Sequence, residues 1–190
     1  MKALLRPALT LFATLTVLTG VVYPLAVTSV GQLLFPHEAN GSIVMVKGKP
    51  AGSALIGQQF TSPENFWGRP SATGPHPNNA AVSSGSNLGP LNPALTDAVK
   101  ARVAALKAAD PSSDKPVPID LVTASGSGLD PDISLAAAHY QITRVAQARN
   151  LPAEKVKGLV EQHAVRPWLG IFGEPRVNVL ALNVKLDGTR

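Results

Sequence analysis

The sequence predicts an α+β protein, in which a single N-terminal transmembrane helix is followed by one mixed α/β soluble domain. The first 36 residues contain a stretch of 30 residues without a charge, from Pro7 to Pro36. The other 154 residues, 37–190, mix segments of helical periodicity with short runs rich in β-branched residues. A segment of that length can bury one sizeable core. We therefore divide the chain into a cytoplasmic tip with a membrane anchor, residues 1–36, and an extracytoplasmic domain, residues 37–190.

The uncharged stretch is long enough to cross a bilayer, because a helix needs about 20 apolar residues to span the hydrocarbon core. Signal peptides have apolar regions of roughly 7–15 residues and end in a small-residue cleavage site. Ala26-Val27-Thr28 resembles such a site only weakly, so we expect an anchor that is not cleaved. Lys2 and Arg6 lie directly before the stretch, which favours a cytoplasmic N-terminus and a domain on the outer face.

One face of the predicted anchor carries small side chains at Ala13, Thr16 and Gly20. Small residues allow helix backbones to approach closely in lipid, so this face is a candidate contact with a partner transmembrane helix. The alternative is that the same residues face lipid. Pro24 should kink the helix or change its packing, because proline has no backbone N–H.

The soluble domain should open with a strand over residues 42–47, which follows a turn signal at Asn40-Gly41. Residues 54–57 could form a short partner strand. Further along, residues 116–122 should be a short extended segment. Residues 176–186 should form a strand buried on both faces, because their run is nearly continuous in apolar and β-branched residues.

A long loop is predicted over residues 61–93, which are rich in Pro, Gly, Ser and Asn. A loop of this length in a compact domain is usually functional or disordered. Its first part carries Phe66, Trp67 and Arg69, which argues that the loop is pinned to the domain. Trp67 and Arg69 are also candidate partner contacts.

Three helices are predicted from their start signals and apolar periodicity. Each begins where an Asn or Asp that can cap the helix lies one or two residues before a proline that suits its first turn. The three helices run from Asn92-Pro93 to Asp110-Pro111, from Asp130-Pro131 to Arg149, and from Asn150-Leu151-Pro152 to Arg166-Pro167.

Composition and motifs exclude several classes of protein. The chain has no cysteine, which excludes disulfide scaffolds, iron–sulfur clusters and cysteine nucleophiles. Its net charge is +5, but the basic residues are scattered and aromatic residues make up 5% of the chain, so no nucleic-acid interface is predicted. No Gly-x-Ser-x-Gly or His-Glu-x-x-His motif occurs. His139 and His163 should lie on helix surfaces or half-buried, and no metal site is predicted.

The segment Ser125-Gly126-Ser127-Gly128 is a candidate nucleotide-binding turn. Glycines before a helix N-terminus can present backbone N–H groups to a phosphate. However, the segment lacks the Walker ending and the third glycine of a dinucleotide fingerprint, and Asp130 would repel an anion. A tight turn into a capped helix is the favoured interpretation, in which Asp130 and Asp132 complement the helix dipole.

The connection between the third helix and the last strand is unusually apolar for a loop. It contains Trp168, Leu169, Ile171 and Phe172. Such a patch can dock a partner or the membrane surface, which makes Trp168 and Phe172 candidate partner contacts. The alternative is that the loop plugs its own core.

Several short motifs occur in a characteristic order along nearly the whole chain. They are a basic N-terminus, Tyr23-Pro24 in the anchor, Phe66-Trp67-Gly68-Arg69-Pro70-Ser71, Ser84-Gly85-Ser86-Asn87-Leu88-Gly89, the run Ser125 to Ser134, Arg144-Val145 and Val177-Asn178-Val179-Leu180. Together they resemble the C subunit of the bacterial Kdp potassium-transporting P-type ATPase. Each motif alone is weak, and the match depends on their order and spacing.

The resemblance implies an accessory subunit of an ATP-driven complex that imports K⁺ across the inner membrane. Its partners would be a channel-like K⁺-translocating subunit, a P-type ATPase subunit and a small single-helix subunit. The family's C subunit supports assembly and acts as a catalytic chaperone that raises the affinity of the ATPase subunit for ATP. This chain has no Asp-Lys-Thr-Gly-Thr and no Walker motif, so we expect a non-catalytic subunit with no cofactor of its own and ATP only through the complex.

Two other functions stay open. A membrane-anchored extracytoplasmic hydrolase would need a nucleophile–base pair assembled from distant residues. A nucleotide-binding regulator would contact ATP directly, with the turn Ser125–Gly128 as the first candidate. A domain on the outer face could affect cytoplasmic ATP binding only through conformations shared with the partner subunits.

Overall fold

The structure is a computed structural model that describes residues 2–167 and 170–189. The chain divides into two compact units, Met1–Ile43 and Val44–Arg190. The two units are described separately below.

The first unit is dominated by one long apolar helix. Helix α1 (Lys2–Val17) continues through a π-helical turn (Leu18–Val22) into helix α2 (Tyr23–Leu34), and a short helix α3 (Pro36–Ala39) follows. The stretch Ala3–Leu34 has the length and composition to cross a membrane, and its most apolar window is not buried by any of the described residues. The predicted transmembrane helix is therefore confirmed as a candidate span.

The distortion expected at Pro24 takes the form of a widened helical turn. The π-helical turn ends directly before Tyr23-Pro24, and the backbone N–H of Tyr23 donates to the carbonyl of Leu18, five residues earlier. Since Pro24 has no N–H, the hydrogen-bond ladder cannot continue regularly past it.

The second unit opens with a β-hairpin. Strand β1 (Ile43–Val46) pairs with β2 (Lys49–Ser53) in a two-stranded sheet. Lys47 and Gly48 between them have φ of 50° and 77°, as a two-residue hairpin turn of type I′ requires. The strand predicted over residues 42–47 is confirmed, but the partner predicted at residues 54–57 is wrong. The tight turn returns the chain at once, so pairing is complete before residue 54.

A three-stranded antiparallel sheet holds the centre of the domain. Its order is β3 (Asp132–Ser134), β5 (Arg176–Asn178), β4 (Ala164–Val165), and Ile133 lies opposite Val177. The predicted start of the second helix at Asp130-Pro131 is therefore wrong, because residues 132–134 pair with β5 and the helix begins after them. Helix α5 (Leu135–Arg149) starts after Ser134, whose Oγ accepts a hydrogen bond from the N–H of Ala137 at 3.0 Å.

The strand predicted over residues 176–186 is wrong after its first three residues. Beyond β5 the chain forms helix α7 (Val179–Asp187), capped by Asn178, whose Oδ1 accepts from the N–H of Ala181 at 3.0 Å. Val179, Leu182 and Leu186 are buried with Asn183, and this spacing of three and four residues is helical.

The other two predicted helices are present, but the third ends at His163 and not at Arg166-Pro167, because Ala164 and Val165 pair with β5 as strand β4. Helix α4 (Pro93–Ala109) is capped by Asn92, which accepts from the N–H of Ala94 at 3.0 Å. Helix α6 (Ala153–His163) follows Pro152. Residues 116–122 are extended only in part, because Ile119–Leu121 form a 3₁₀ turn.

The core lies between the three-stranded sheet and helices α5, α6 and α7. Residues 54–92, here called the long loop, contain no helix or strand. The long loop is nevertheless packed into the domain, and the side chain of Phe66 is fully buried. The expectation that its first part is pinned is confirmed. The largest fully buried side chains include Phe66, Leu106, Leu121, Ile133, Val145, Val156, Val160, Val177, Leu182 and Leu186.

Candidate functional site

The candidate nucleotide-binding turn, Ser125–Gly128, is closed by its own hydrogen bonds. The N–H of Gly128 donates to Oγ and to the carbonyl of Ser125, at 2.9 and 3.3 Å, and the N–H of Leu129 donates to Oγ of Ser127 at 3.1 Å. No helix begins here, since β3 follows and α5 starts at Leu135. The expectation that a helix N-terminus at this turn presents amides to a phosphate is therefore wrong. The nucleotide contact itself stays a prediction.

The long loop is seated directly on this turn. The N–H of Ser84 and the hydroxyl of Ser83 both reach the carbonyl of Ser127, at 2.9 and 3.1 Å. Gly128 has a φ of +68°, and a Cβ on it would lie 2.5 Å from the carbonyl oxygen of Ser84. Only glycine accepts both this backbone conformation and this approach. The turn thus serves as a contact point for the loop.

Arg69 binds the long loop to the residues around the turn Ser125–Gly128 through an ion pair. Its Nη1 lies 3.0 Å from Oδ2 of Asp130, and its Nη2 donates to the carbonyl of Ala124 at 3.3 Å. Its buried Nε has no hydrogen-bond partner in the described residues. Asp130, expected to repel an anion from the turn, is thus paired with a guanidinium. The side chain of Arg69 keeps 25% of its surface exposed, so a partner contact by Arg69 stays a prediction.

Trp67, the other candidate partner contact in the loop, lies inside the domain. Only 7% of it is exposed, and the guanidinium groups of Arg102 and Arg144 lie 5.2 and 4.7 Å from its ring centroid. Its indole N–H donates to the carbonyl of Ser62 at 2.9 Å. The side chain of Gln141 accepts from the N–H of Trp67 at 2.8 Å and donates to its carbonyl at 3.0 Å. Trp67 is therefore occupied by these contacts and is not presented on the surface.

Arg144 is buried and serves the loop backbone. It donates to the carbonyls of Pro63 and Asn65, the second at 3.0 Å. Burial lowers the pKa of Arg144 to about 10, and the carboxylate of Asp110 acts in the opposite direction. Burial also lowers the pKa of Arg102. Both guanidinium groups can attract the π face of the tryptophan ring.

Two further anchors hold neighbouring loop residues. Asn183 of α7 accepts from the N–H of Phe66 at 2.8 Å and donates to its carbonyl at 3.0 Å. Arg149 of α5 donates from Nε to the carbonyl of Glu64 at 2.5 Å and from Nη2 to Oδ1 of Asn65 at 2.9 Å. Sequence reasoning missed Gln141, Arg149 and Asn183 as anchors. The signal that could have revealed Asn183 is a single polar residue within an otherwise apolar helical stripe.

A charged cavity of about 220 Å³ lies beside the three-stranded sheet. Four carboxylates and two guanidinium groups line it, from Asp120, Asp130, Asp132, Glu174, Arg69 and Arg176. Arg176 pairs with Asp132 at 2.9 Å, and Asp120 accepts from the N–H and hydroxyl of Ser134 at 2.7 and 3.1 Å. Since Asp130 is paired with Arg69, three of the four carboxylates have partners within the domain. Their contacts link the long loop, the 3₁₀ turn and the three-stranded sheet.

The two helical histidines make structural contacts. His139 Nε2 lies 2.8 Å from Oε1 of Glu161, and His163 Nδ1 lies 2.9 Å from the carbonyl of Leu159. Both are partly exposed, as predicted. Neither bonds to a hydroxyl group of the described residues.

The apolar connection between β4 and β5 turns outward where it is described. Ile171 and Phe172 expose 77% and 62% of their surface, so these two side chains do not plug the core. Phe172 is accessible to a partner, and that contact stays a prediction. Trp168 and Leu169 lie outside the described residues.

In the anchor, Ala13, Thr16 and Gly20 are exposed along the apolar helix. Gly20 lies within the π-helical turn, and a Cβ on it would meet no atom within 4 Å. The side of the helix at Gly20 is therefore open to the surroundings, as a close helix–helix contact requires.

Comparison with known proteins gives a consistent result. Residues 5–188 match the family model described as KdpC, the c chain of the K⁺-transporting ATPase. The chain is 65% identical over 190 residues to the potassium-transporting ATPase KdpC subunit of Polaromonas naphthalenivorans (strain CJ2), a match that covers 100% of this chain and 97% of that protein. The protein of the same name from Herminiimonas arsenicoxydans is 62% identical over 187 residues, with 98% of each chain covered. That from Methylibium petroleiphilum is 62% identical over 190 residues, with 100% of each chain covered.

Proposed function

The chain belongs to the KdpC family, the c chain of the K⁺-transporting ATPase, and from this premise we propose that it is the non-catalytic accessory subunit of an ATP-driven potassium import complex. In this role it supports assembly and raises the affinity of the P-type ATPase subunit for ATP. Its partners are that subunit, a channel-like K⁺-translocating subunit and a small single-helix subunit.

The observation that carries the proposal is the anchor. Within the described residues, nothing buries the most apolar window of the 32-residue apolar helix, which supports a location among lipid and neighbouring transmembrane helices. The basic residues Lys2 and Arg6 precede the helix, which supports a cytoplasmic N-terminus and a domain on the periplasmic face of the inner membrane.

The effect on ATP is proposed to be allosteric. A periplasmic domain has no access to cytoplasmic nucleotide, and the amides of Gly128 and Leu129 are engaged within their own turn. The coupling would then pass through conformations that the subunits share, with each state of the pump favouring a different contact with this chain.

Co-purification tests membership of the complex. The full chain, tagged at its C-terminus, is extracted from its own membranes in mild detergent, and the bound chains are identified by mass. We expect three companions: the channel-like subunit, the P-type ATPase subunit and the small single-helix subunit. Recovery of the tagged chain alone, from membranes that contain the other subunits, would contradict the proposal.

The ATP effect is tested on the pump itself. K⁺-stimulated ATP hydrolysis is measured with the purified complex and with a complex depleted of this chain, and the KM for ATP should be higher in the depleted complex. Equilibrium binding of ATP to the isolated full chain is measured beside it. Saturable binding that Gly126→Val abolishes would favour the nucleotide-binding regulator instead.

Orientation can be tested cleanly because the chain has no native cysteine. Thr96→Cys places a thiol on the exposed surface of α4, and Ala3→Cys places one at the start of the anchor. With a membrane-impermeant thiol reagent, Thr96→Cys should be labelled in intact cells and Ala3→Cys only after lysis. The reverse pattern would place the domain in the cytoplasm.

A further inference from the structure

Two backbone carbonyls inside the anchor have lost their regular helical donors. In an α-helix the carbonyl of Thr19 would accept from the N–H of Tyr23, but that N–H donates to Leu18. The carbonyl of Gly20 would accept from residue 24, which is Pro24 and has no N–H. Both losses fall in the middle of the stretch Ala3–Leu34, where the hydrocarbon core supplies no water.

Side chains of the same helix do not replace these donors. The hydroxyl of Thr19 donates to the carbonyl of Leu15 at 2.7 Å, and the hydroxyl of Ser29 donates to the carbonyl of Leu25 at 2.8 Å. Within the described residues, no side-chain group donates to the carbonyl of Thr19 or Gly20. A polar backbone group without a partner is costly in an apolar medium, so a donor from a neighbouring helix would stabilise the anchor at this point.

The surface next to these carbonyls can admit such a donor. A Cβ on Gly20 would meet nothing within 4 Å, and Thr16, one turn earlier, has a short side chain. The π-helical turn also borders an apolar groove of about 420 Å³, whose lining includes Ala13 and Val17. A helix with a short polar side chain can therefore approach closely enough to bond to the backbone.

We propose that a transmembrane helix of a partner subunit docks at Gly20 and donates a side-chain hydrogen bond, from a hydroxyl or a carboxamide, to the carbonyl of Gly20 or Thr19. This inference rests on the proposed function, because it names the chemistry by which the complex holds the anchor. Pro24 then has a defined role: it keeps the acceptor open.

The test compares three variants of the full chain, each assembled with the other subunits. Pro24→Ala restores the N–H that closes the helical ladder, and Gly20→Leu fills the approach. Gly31→Leu is the matched control, because Gly31 lies in the same apolar helix and a Cβ there also meets nothing within 4 Å. Recovery of the other subunits in mild detergent is measured per membrane-inserted chain.

We expect Pro24→Ala to reduce recovery about three- to tenfold, the range for one or two interhelical hydrogen bonds in a membrane. Gly20→Leu should reduce recovery at least as much, and Gly31→Leu should leave it unchanged. Equal recovery for the wild-type chain and Pro24→Ala would overturn the inference, since water or lipid would then satisfy the carbonyls. Alanine is a good helix former, so this arm remains valid even if Gly20→Leu inserts poorly. If the wild-type chain recovers no partner, the proposed function fails instead.

Discussion

Replacing Gln141 with leucine should release the long loop while leaving the apolar core nearly unchanged. The leucine side chain has a similar volume, so no large cavity forms. What is lost is the pair of hydrogen bonds at 2.8 and 3.0 Å that hold the N–H and carbonyl of Trp67. Arg144 also loses the contact of its Nη2 with Oε1 of Gln141 at 2.7 Å.

The size of the effect follows from these contacts. Leaving a buried backbone donor or acceptor unpaired costs about 1–3 kcal/mol, and two such groups are left on a residue that is only 7% exposed. Arg144 keeps its bonds to two loop carbonyls, so its share is smaller. We therefore expect the free energy of unfolding to fall by about 2–6 kcal/mol.

The assay is denaturant unfolding of the full chain in mild detergent, followed by tryptophan fluorescence. The chain has two tryptophans, so Trp168→Phe is used as the background to report Trp67 alone. Gln147→Leu is the matched control, because Gln147 lies on the same helix with an exposed side chain and should change stability by less than about 0.5 kcal/mol. If Gln141→Leu costs no more than Gln147→Leu, the loop is not held by this side chain and the reasoning fails.

Three further predictions use the same unfolding assay. Gly128→Ala should lower the free energy of unfolding by about 2 kcal/mol or more, because it strains a positive φ and forces a Cβ against a loop carbonyl. In the control Gly126→Ala the new Cβ meets nothing within 4 Å, so stability should hardly change. Equal effects of the two substitutions would contradict the packing described. Arg69→Ala should lower the free energy of unfolding by about 1 kcal/mol or less, because it removes a partly exposed ion pair with Asp130. The difference should become smaller at high salt, which screens this pair. Asn178→Ala should cost about 1 kcal/mol because it removes the N-cap of α7, and an unchanged midpoint would argue against that cap.

The elements that sequence reasoning predicted well are those with an unambiguous local signal. Asn92 followed by proline fixed the start of α4, and the apolar stretch predicted the anchor. The start of α5 was harder, because Asp130 and Ser134 are both good N-cap residues. Pairing of residues 132–134 with a strand that lies far along the chain decided between them, and local periodicity carries no information about such a contact.

The error at α7 has a different cause. A short apolar run rich in valine fits a buried strand and a buried helix equally well by periodicity. The polar residues in the run carried the missing information, since Asn178 caps the helix and Asn183 bonds to the loop from its buried face. In the candidate site, the turn Ser125–Gly128 was located correctly as a turn, but the burial of Trp67 depends on side chains from two helices and could not be read from its neighbours.

The long loop takes its course from residues that are not its own. Four side chains on α5 and α7, those of Gln141, Arg144, Arg149 and Asn183, bind its main-chain amides and carbonyls from Pro63 to Trp67. Main-chain groups are the same whatever amino acid bears them. Solvent-facing positions of the segment can consequently diverge among related proteins without altering its route. The exposed surface of this segment can thus be remodelled during evolution while the scaffold beneath it is retained.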